Sequence, residues 1–490
     1  VAGIPFYSAD NSIYTHDVSG TDSTASFNTA YGVTALDAVT TGDKNTVIGY
    51  DAGGALTTGS ANTIIGENAG SNGALTGDDN TVVGKIAGYA LTSGHSNTLI
   101  GRHAASALTT GVRNVALGMG ANDSAADGEN DNIAIGYNAM ASASLAGGEY
   151  NVAIGNTSLD ALTSGDGNVA VGYQAGTDLT TAERTVFIGL EAGQNVTTGG
   201  GSVLIGGNAG NALTTGNNTI AIGDQALVTA TTASNNMAIG IQAGYSIADG
   251  EYNVAVGNYT LDALTSGDKN TAVGYGSGTD LTTASDFVGL GYNAGANVTS
   301  GTHNTFLGSE AGLSVTTGSR NTILGVAGWN FDTENDNVGI GYNALGGAIN
   351  GGEYNVAVGN NTLDAVTSGD NNVAVGHNAG TSVTTGVKNV FIGDAAGALC
   401  TTGAGNVAIG KDCGNSGGTV LVSGLNNIFI GNAVAGTDSS HNNAIGLGHN
   451  FTVVGDRFSF GKQSNVVTNN FSSDANWARS SDERLKTNIT

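Results

Sequence analysis

The chain has 490 residues, of which 81 are glycine and one is proline, and its formal net charge at pH 7 is −26. The acidic balance excludes a nucleic-acid partner, because phosphate backbones are bound by basic surfaces. With 39% hydrophobic and 11% charged residues the chain is too apolar for intrinsic disorder, yet it contains no apolar run long enough for membrane insertion. Uniform richness in a few small residues is typical of one long repeat array.

Residues 1–27 are rich in Ser, Asp, Thr and aromatic residues and lack a repeat, which predicts an N-terminal cap or joint. From residue 28 a phrase recurs. Asn45-Thr46-Val47-Ile48-Gly49 returns as Asn62-Thr63-Ile64-Ile65-Gly66, and its final glycine, here called the marker glycine, recurs mostly every 17 residues up to Gly410. The apolar residues before each marker glycine predict a short strand, and one unit is too short to bury a core alone. The sequence therefore predicts an all-β fold, an elongated parallel β-solenoid (β-roll) of about 17-residue coils over residues 28–410.

The strand residues also predict self-association. Side chains alternate between the two faces of a strand. The uniformly aliphatic position −1 from the marker glycine (Ile48, Ile65) is predicted to point into the coil, so position −2 (Val47, Ile64) points outward. A soluble monomer is not expected to expose an apolar stripe along its length, whereas three identical stripes can close around one axis. We therefore predict a parallel homotrimer.

A second period of 102 residues, or six coils, repeats a Glu-Tyr-Asn-Val-Ala phrase and brings acidic residues into neighbouring coils. Each pair would lie about one strand spacing apart, roughly 4.8 Å, where like charges repel each other. Either water screens the two charges or a cation such as Ca²⁺ bridges them. No other cofactor is expected. The candidate metal ligands are Glu149 with Asp166, Glu251 with Asp268, and Glu353 with Asp370.

Tyrosines follow the marker glycine in several coils, where they could stack on sugar rings or simply pack over the turn. These residues are Tyr50, Tyr137, Tyr173, Tyr275, Tyr292 and Tyr342. Cys400 and Cys413 occupy positions that carry Leu and Ala in other coils, so both are predicted to be small buried hydrophobic residues.

The repeat becomes irregular towards the end of the chain. Residues 411–461 are predicted to form tapering coils with marker glycines at Gly431, Gly446 and Gly461, and residues 462–480 a polar linker. Residues 481–490 are predicted to begin a further, C-terminal segment.

The segment Ser481-Asp482-Glu483-Arg484-Leu485-Lys486 closely resembles the opening of the endosialidase-type intramolecular chaperone, which ends many phage tail fibres and tailspikes. The resemblance implies that Ser481 is the nucleophile of a self-cleavage reaction before Ser481 in a longer precursor. It also implies that Lys486 activates Ser481, as in other Ser–Lys pairs. No other enzymatic activity is expected.

The repeat itself resembles two families. Asn151-Val152-Ala153-Ile154-Gly155 is similar to the head repeats of trimeric autotransporter adhesins, and the Leu-Thr-Thr-Gly arrays are similar to repeats in phage tail fibres and bacterial surface proteins. The resemblance implies a fibre shaft of a phage tail fibre or similar appendage, located on a virion tail or at a cell surface. It would serve attachment to a cell-surface glycan or protein receptor. The alternatives are a bacterial trimeric surface adhesin, a secreted extracellular filament, and a polysaccharide-degrading tailspike.

Overall fold

A computed structural model describes residues 7–9, 12–14, 24–123, 128–142, 147–325, 332–415, 421–470 and 478–480. The chain divides into two compact units, Val1–Tyr252 and Asn253–Thr490. Within each unit the described residues form a parallel β-solenoid, which confirms the predicted all-β fold and the coil length of about 17 residues.

Most strands are three residues long and lie directly before a marker glycine. The strands of the first unit are β1 Tyr7–Ala9, β2 Ser12–Tyr14, β3 Thr29–Tyr31, β4 Thr46–Ile48, β5 Thr63–Ile65, β6 Thr81–Val83, β7 Thr98–Ile100, β8 Val115–Leu117, β9 Ile133–Ile135, β10 Val152–Ile154, β11 Val169–Val171, β12 Val186–Ile188, β13 Val203–Ile205, β14 Ile220–Ile222 and β15 Met237–Ile239.

The strands of the second unit are β16 Val254–Val256, β17 Thr271–Val273, β18 Val288–Leu290, β19 Thr305–Leu307, β20 Thr322–Leu324, β21 Val338–Ile340, β22 Val356–Val358, β23 Val373–Val375, β24 Val390–Ile392, β25 Val407–Ile409, β26 Ile428–Gly436, β27 Ile445–Val453, β28 Arg457–Lys462, β29 Asn465–Asn470 and β30 Ala478–Ser480.

The strands stack in register, one coil on the next. Val47 in β4 lies opposite Ile64 in β5, and parallel pairs of this kind run from β2 to β15 in the first unit and from β16 to β28 in the second. Antiparallel pairs occur only near the ends of the described strands, between β1 and β2 and from β28 through β29 to β30. Each strand therefore obtains its backbone hydrogen bonds from the neighbouring coils along the stack.

The prediction of which strand face points inward was wrong. Position −2 is the buried one: Val47 and Ile64 are fully buried, whereas Ile48 at position −1 is 39% exposed. Position −1 is aliphatic in most coils and forms one repeated outer column. The side chain at position −2 ranges from Gly to Phe, because the interior space that it fills differs from coil to coil.

The opposite wall is position +4 after the marker glycine, and the two positions share one interior space. In some coils a small residue at position −2 stands with a large one at +4, as in Ala153 with Leu159, while Phe187 stands with Gly193. Where both positions are small, as in Ala170 with Gly176, side chains of the neighbouring coils, Leu159 and Phe187, fill the space. A Cβ atom added to Gly193 would lie 2.8 Å from Cδ1 of Phe187 and 2.9 Å from Cδ1 of Leu204. Interiors are packed as densely as molecular crystals, so a large residue at one position requires a small one across from it.

A ladder of buried asparagines lies at position −4 in most coils. The Oδ1 atom of Asn45 accepts hydrogen bonds from the backbone N–H of Asn62 (2.9 Å) and from its Nδ2 (3.2 Å). The same Nδ2 donates to the carbonyl of Gly77 at 3.0 Å. Because buried polar groups are costly without partners, each asparagine depends on its copy in the adjacent coil.

The marker glycines allow the coils to approach each other closely. Gly49 has φ +138°, and a Cβ atom there would lie 2.7 Å from the carbonyl oxygen of Gly66 in the next coil. Both the dihedral angle and the approach exclude a side chain at this position.

The final coils differ from the predicted spacing. β26 and β27 are paired so that Gly431 lies opposite Gly448, not Gly446, and Gly448 lies opposite Gly461 in β28. Gly446 lies at the inward position −2, opposite Phe429. Residues 465–470, inside the predicted polar linker, form β29, which pairs with β28.

Candidate functional site

The outward face of the strands forms an apolar surface in each unit, here called the outward stripe and made of positions −1 and −3. The described position −1 residues are Ile, Val or Leu in most coils, and the more exposed of them are between 36% and 42% accessible. These are Ile48, Leu117, Ile154, Ile188, Val273, Leu290, Val375, Ile392 and Ile430.

Position −3 supplies the second column of the stripe. It is threonine in β4 to β7 and valine, isoleucine or methionine in most later strands, as in Val152 and Val169, which are half-buried. The stripe results from the short strand between two turns, because only its middle residue can reach the interior. Sequence analysis predicted an outward apolar stripe but assigned it to the wrong residues.

Two of the three predicted acidic pairs, each within one unit, lie in adjacent coils, and a hydrogen bond from backbone to carboxylate links the members of each. The Asp166 carboxylate accepts the backbone N–H of Glu149 at 2.8 Å, and Asp370 accepts that of Glu353 at 2.9 Å. The Glu149 side chain accepts a bond from Nδ2 of Asn130 at 2.6 Å. Position −6 therefore forms a second polar ladder, in which a short side chain caps the backbone of the preceding coil.

The same ladder explains why other side chains occur at this position. Asp78 accepts the N–H of Ser60 at 2.7 Å, and Ser285 accepts that of Asp268 at 3.0 Å. Among the described residues no group of three or more His, Cys, Asp or Glu side chains is arranged to hold a metal ion.

Both cysteines are fully buried, at the positions predicted for small hydrophobic residues. Burial raises the pKa of the Cys400 thiol to about 11 and that of Cys413 to about 12. Both thiols are therefore protonated at neutral pH and unreactive. Ser481 and Lys486, the predicted self-cleavage residues, lie outside the described part of the chain.

Two of the tyrosines that follow a marker glycine, Tyr275 and Tyr292, are about half exposed and stack on each other in adjacent coils. A third exposed ring, Tyr259, meets Tyr275 edge-on. Sequence reasoning missed Tyr259 because it lies two residues after its marker glycine, not one.

A comparison with protein-family models found no match to this chain, and a comparison with curated proteins found none either. In the part of the chain that the structure describes, no helix is long and apolar enough to cross a lipid bilayer.

Proposed function

We propose that this protein is the shaft of a homotrimeric extracellular fibre of the phage tail-fibre type, which serves attachment to a host or surface. The observation that carries the proposal is the outward stripe. In each unit it repeats at every regular coil, so a second and third copy could bury it over the same length.

The physical argument rests on area and symmetry. Apolar surface removed from water contributes about 25 cal/mol per Å², and a partly exposed aliphatic side chain in nearly every coil offers a large sum. Around a three-fold axis, the outward stripes of three identical chains can contact one another. Stacked coils with short turns also suit a structural element better than a catalytic one.

The oligomeric state tests this proposal. Light scattering of the purified protein should give three times the mass of the 48.3 kDa chain. Lysine at two stripe positions, Ile154→Lys with Ile188→Lys, should shift the protein towards monomers, because charges would be buried between the chains.

The matched control places the same two charges elsewhere on the same unit. Thr198 and Thr232 are exposed turn residues away from the strands, so Thr198→Lys with Thr232→Lys should leave the trimer intact. A well-folded wild-type monomer would contradict the proposal, as would stripe variants that remain trimeric.

The proposed fibre includes a processing step. In a polypeptide that continues beyond residue 490 into the chaperone-type domain, we expect cleavage before Ser481 after trimer formation. Ser481→Ala should leave an uncut product on denaturing gels. Unchanged processing of that variant would remove Ser481 from the mechanism.

A further inference from the structure

A groove on the surface of the second unit combines aromatic rings with carboxylates and amides. It has a volume of about 440 Å³ and extends across three successive coils. Its walls include Tyr259, Tyr275, Asp262, Asp280 and Asn293. The ring centroids of Tyr259 and Tyr275 are 5.6 Å apart, and those of Tyr275 and Tyr292 are 5.7 Å apart. Grooves of this size, with aromatic walls and a few placed polar groups, are typical of small-ligand sites.

The Asp262 carboxyl group interacts with the backbone N–H groups of Asp262 and Ala263. Its Oδ1 atom is buried and accepts no hydrogen bond. Burial is the main cause that raises the pKa of this carboxyl group, and the nearby Asp280 charge adds to the effect. The carboxyl group as a whole is only half-buried and lines the groove, so its accessible part can accept a hydrogen bond from a hydroxyl or N–H group of a ligand.

The 102-residue period provides two natural comparisons for this carboxylate. Its counterpart in the preceding block, Asp160, accepts a hydrogen bond from the backbone of Ala141. Its counterpart in the following block, Asp364, accepts bonds from the Thr381 hydroxyl and from Nδ2 of Asn343. Asp262 also interacts with backbone N–H groups, but of these three carboxyl groups only that of Asp262 has a buried oxygen without a hydrogen-bond partner.

The aromatic residues differ between the blocks in the same way. Tyr173 corresponds to Tyr275, but the counterparts of Tyr259 and Tyr292 in the first block are Thr157 and Leu190. The third block has no tyrosine at any of the three positions, which are Asn361, His377 and Asp394. The tyrosine cluster and the carboxyl group with one unpartnered oxygen therefore coincide at one place on a repeated scaffold.

We propose that this groove, here called the tyrosine groove, binds a neutral oligosaccharide or polysaccharide chain. Sugar rings have apolar C–H faces that pack on aromatic side chains, and their hydroxyl groups both donate and accept hydrogen bonds. The groove offers both acceptors and donors of hydrogen bonds, because the carboxylates of Asp262 and Asp280 accept while the amides of Asn293 and Asn297 donate and accept. Its lining residues include no Lys, Arg or His, so an anionic glycan would meet two carboxylates without a cation.

The proposal deepens the attachment function proposed above by naming the receptor class and its site. The test is binding of the full chain to an array of neutral oligosaccharides, with the best-bound one then titrated in solution. Tyr259→Ala combined with Tyr275→Ala should weaken binding at least tenfold, because both rings line the groove. Asp262→Asn should weaken it several-fold, because the amide keeps the shape but replaces the carboxylate.

Tyr173→Ala is the matched control, since it removes the corresponding ring from the block that lacks the cluster. This variant should bind as the wild type does. Circular dichroism of each variant establishes that the coils are intact, which is expected for exposed tyrosines.

Three results would overturn the groove assignment: no neutral glycan bound by the intact protein, equal binding by the double tyrosine variant, or binding confined to sialylated or sulfated glycans. Saturation of the groove by tetramethylammonium with no glycan bound would assign it to organic cations instead. A trimer that binds no glycan contradicts the groove alone, whereas a glycan-binding monomer contradicts the fibre alone.

Discussion

Asparagine at position −4 is the residue on which the stacking of coils depends most directly. Asn168 illustrates this. Its Nδ2 donates to Oδ1 of Asn151 at 3.1 Å and to the carbonyl of Ala182 at 2.9 Å. Its own Oδ1 accepts the backbone N–H and the hydroxyl of Thr185 at 3.0 and 2.8 Å. One side chain therefore connects three coils.

We expect Asn168→Ala to lower the free energy of unfolding by about 2 to 3 kcal/mol, because it leaves several buried polar groups without partners. Asn168→Thr should cost less, since a hydroxyl can still serve the Thr185 amide. Urea denaturation gives the size of the effect, and hydrogen exchange at the Thr185 amide gives its location. Equal losses for the two variants would contradict this role of the ladder.

The buried thiols give the protein a predictable weakness at alkaline pH. The folded chain holds the Cys400 and Cys413 protons up to pKa values of about 11 and 12, whereas the reference value for a thiol is 9.0. Unfolding therefore releases protons above pH 9, and rising pH favours the unfolded state. Stability should be insensitive to these groups below pH 9 and should fall between pH 9 and about 12.

Denaturation of the wild type and of Cys400→Ala with Cys413→Ala across this pH range isolates the thiol effect from that of tyrosine and lysine titration. The variant should lose less stability over the interval. A thiol reagent should also fail to label the native wild type at pH 8 and should label both cysteines in urea. Rapid labelling of the native protein would contradict their burial.

At the level of the coil, packing is decided by the pair of positions −2 and +4. Phe187 fills its coil because Gly176 and Gly193 leave room on both sides: added Cβ atoms would lie 2.6 Å and 2.8 Å from its ring. Ala170 occupies the same strand position one coil earlier, directly opposite Phe187 in the sheet.

A phenylalanine at position −2 should therefore stabilise the coil of Phe187 and destabilise the coil before it. Phe187→Ala should cost about 3 to 5 kcal/mol, as buried aromatic truncations do. Ala170→Phe should also destabilise the protein, by about 1 to 3 kcal/mol, because its ring would compete with Phe187 and Leu159 for the space beside Gly176. Denaturation measures the loss of stability in each variant, and hydrogen exchange in β11 and β12 gives its location. Phe187→Leu serves as the milder control. A neutral Ala170→Phe variant would contradict the shared-volume account.

Across the whole molecule, uncompensated negative charge opposes the compact state. The formal charge is −26, and the ion pairs between described residues, such as Arg113 with Asp131 and Arg320 with Asp336, are exposed. Self-repulsion of this kind weakens as salt screens it. The acidic pairs add to the repulsion, although each carboxylate of Glu149 and Asp166 has its own hydrogen-bond donor.

We expect NaCl and CaCl₂ at equal ionic strength to raise the melting temperature equally, because screening needs no specific site. Glu149→Gln with Asp166→Asn should change neither the size of this rise nor its independence of the cation. A larger rise with millimolar Ca²⁺, lost in this double variant, would instead establish the calcium bridge that the acidic pairs suggested.

The sequence by itself determined the coil length, the strand class and the asparagine ladder, because each is a periodic property that a single chain displays in its letters. Only the tertiary structure decided which strand face is inside. Uniform hydrophobicity at position −1 resembled a core column, whereas burial follows from the volume shared between Val47 or Phe187 and the wall across the coil. The tertiary structure also brought Tyr259, Asp262 and Asp280 together, since residues in different coils become neighbours only when the coils stack.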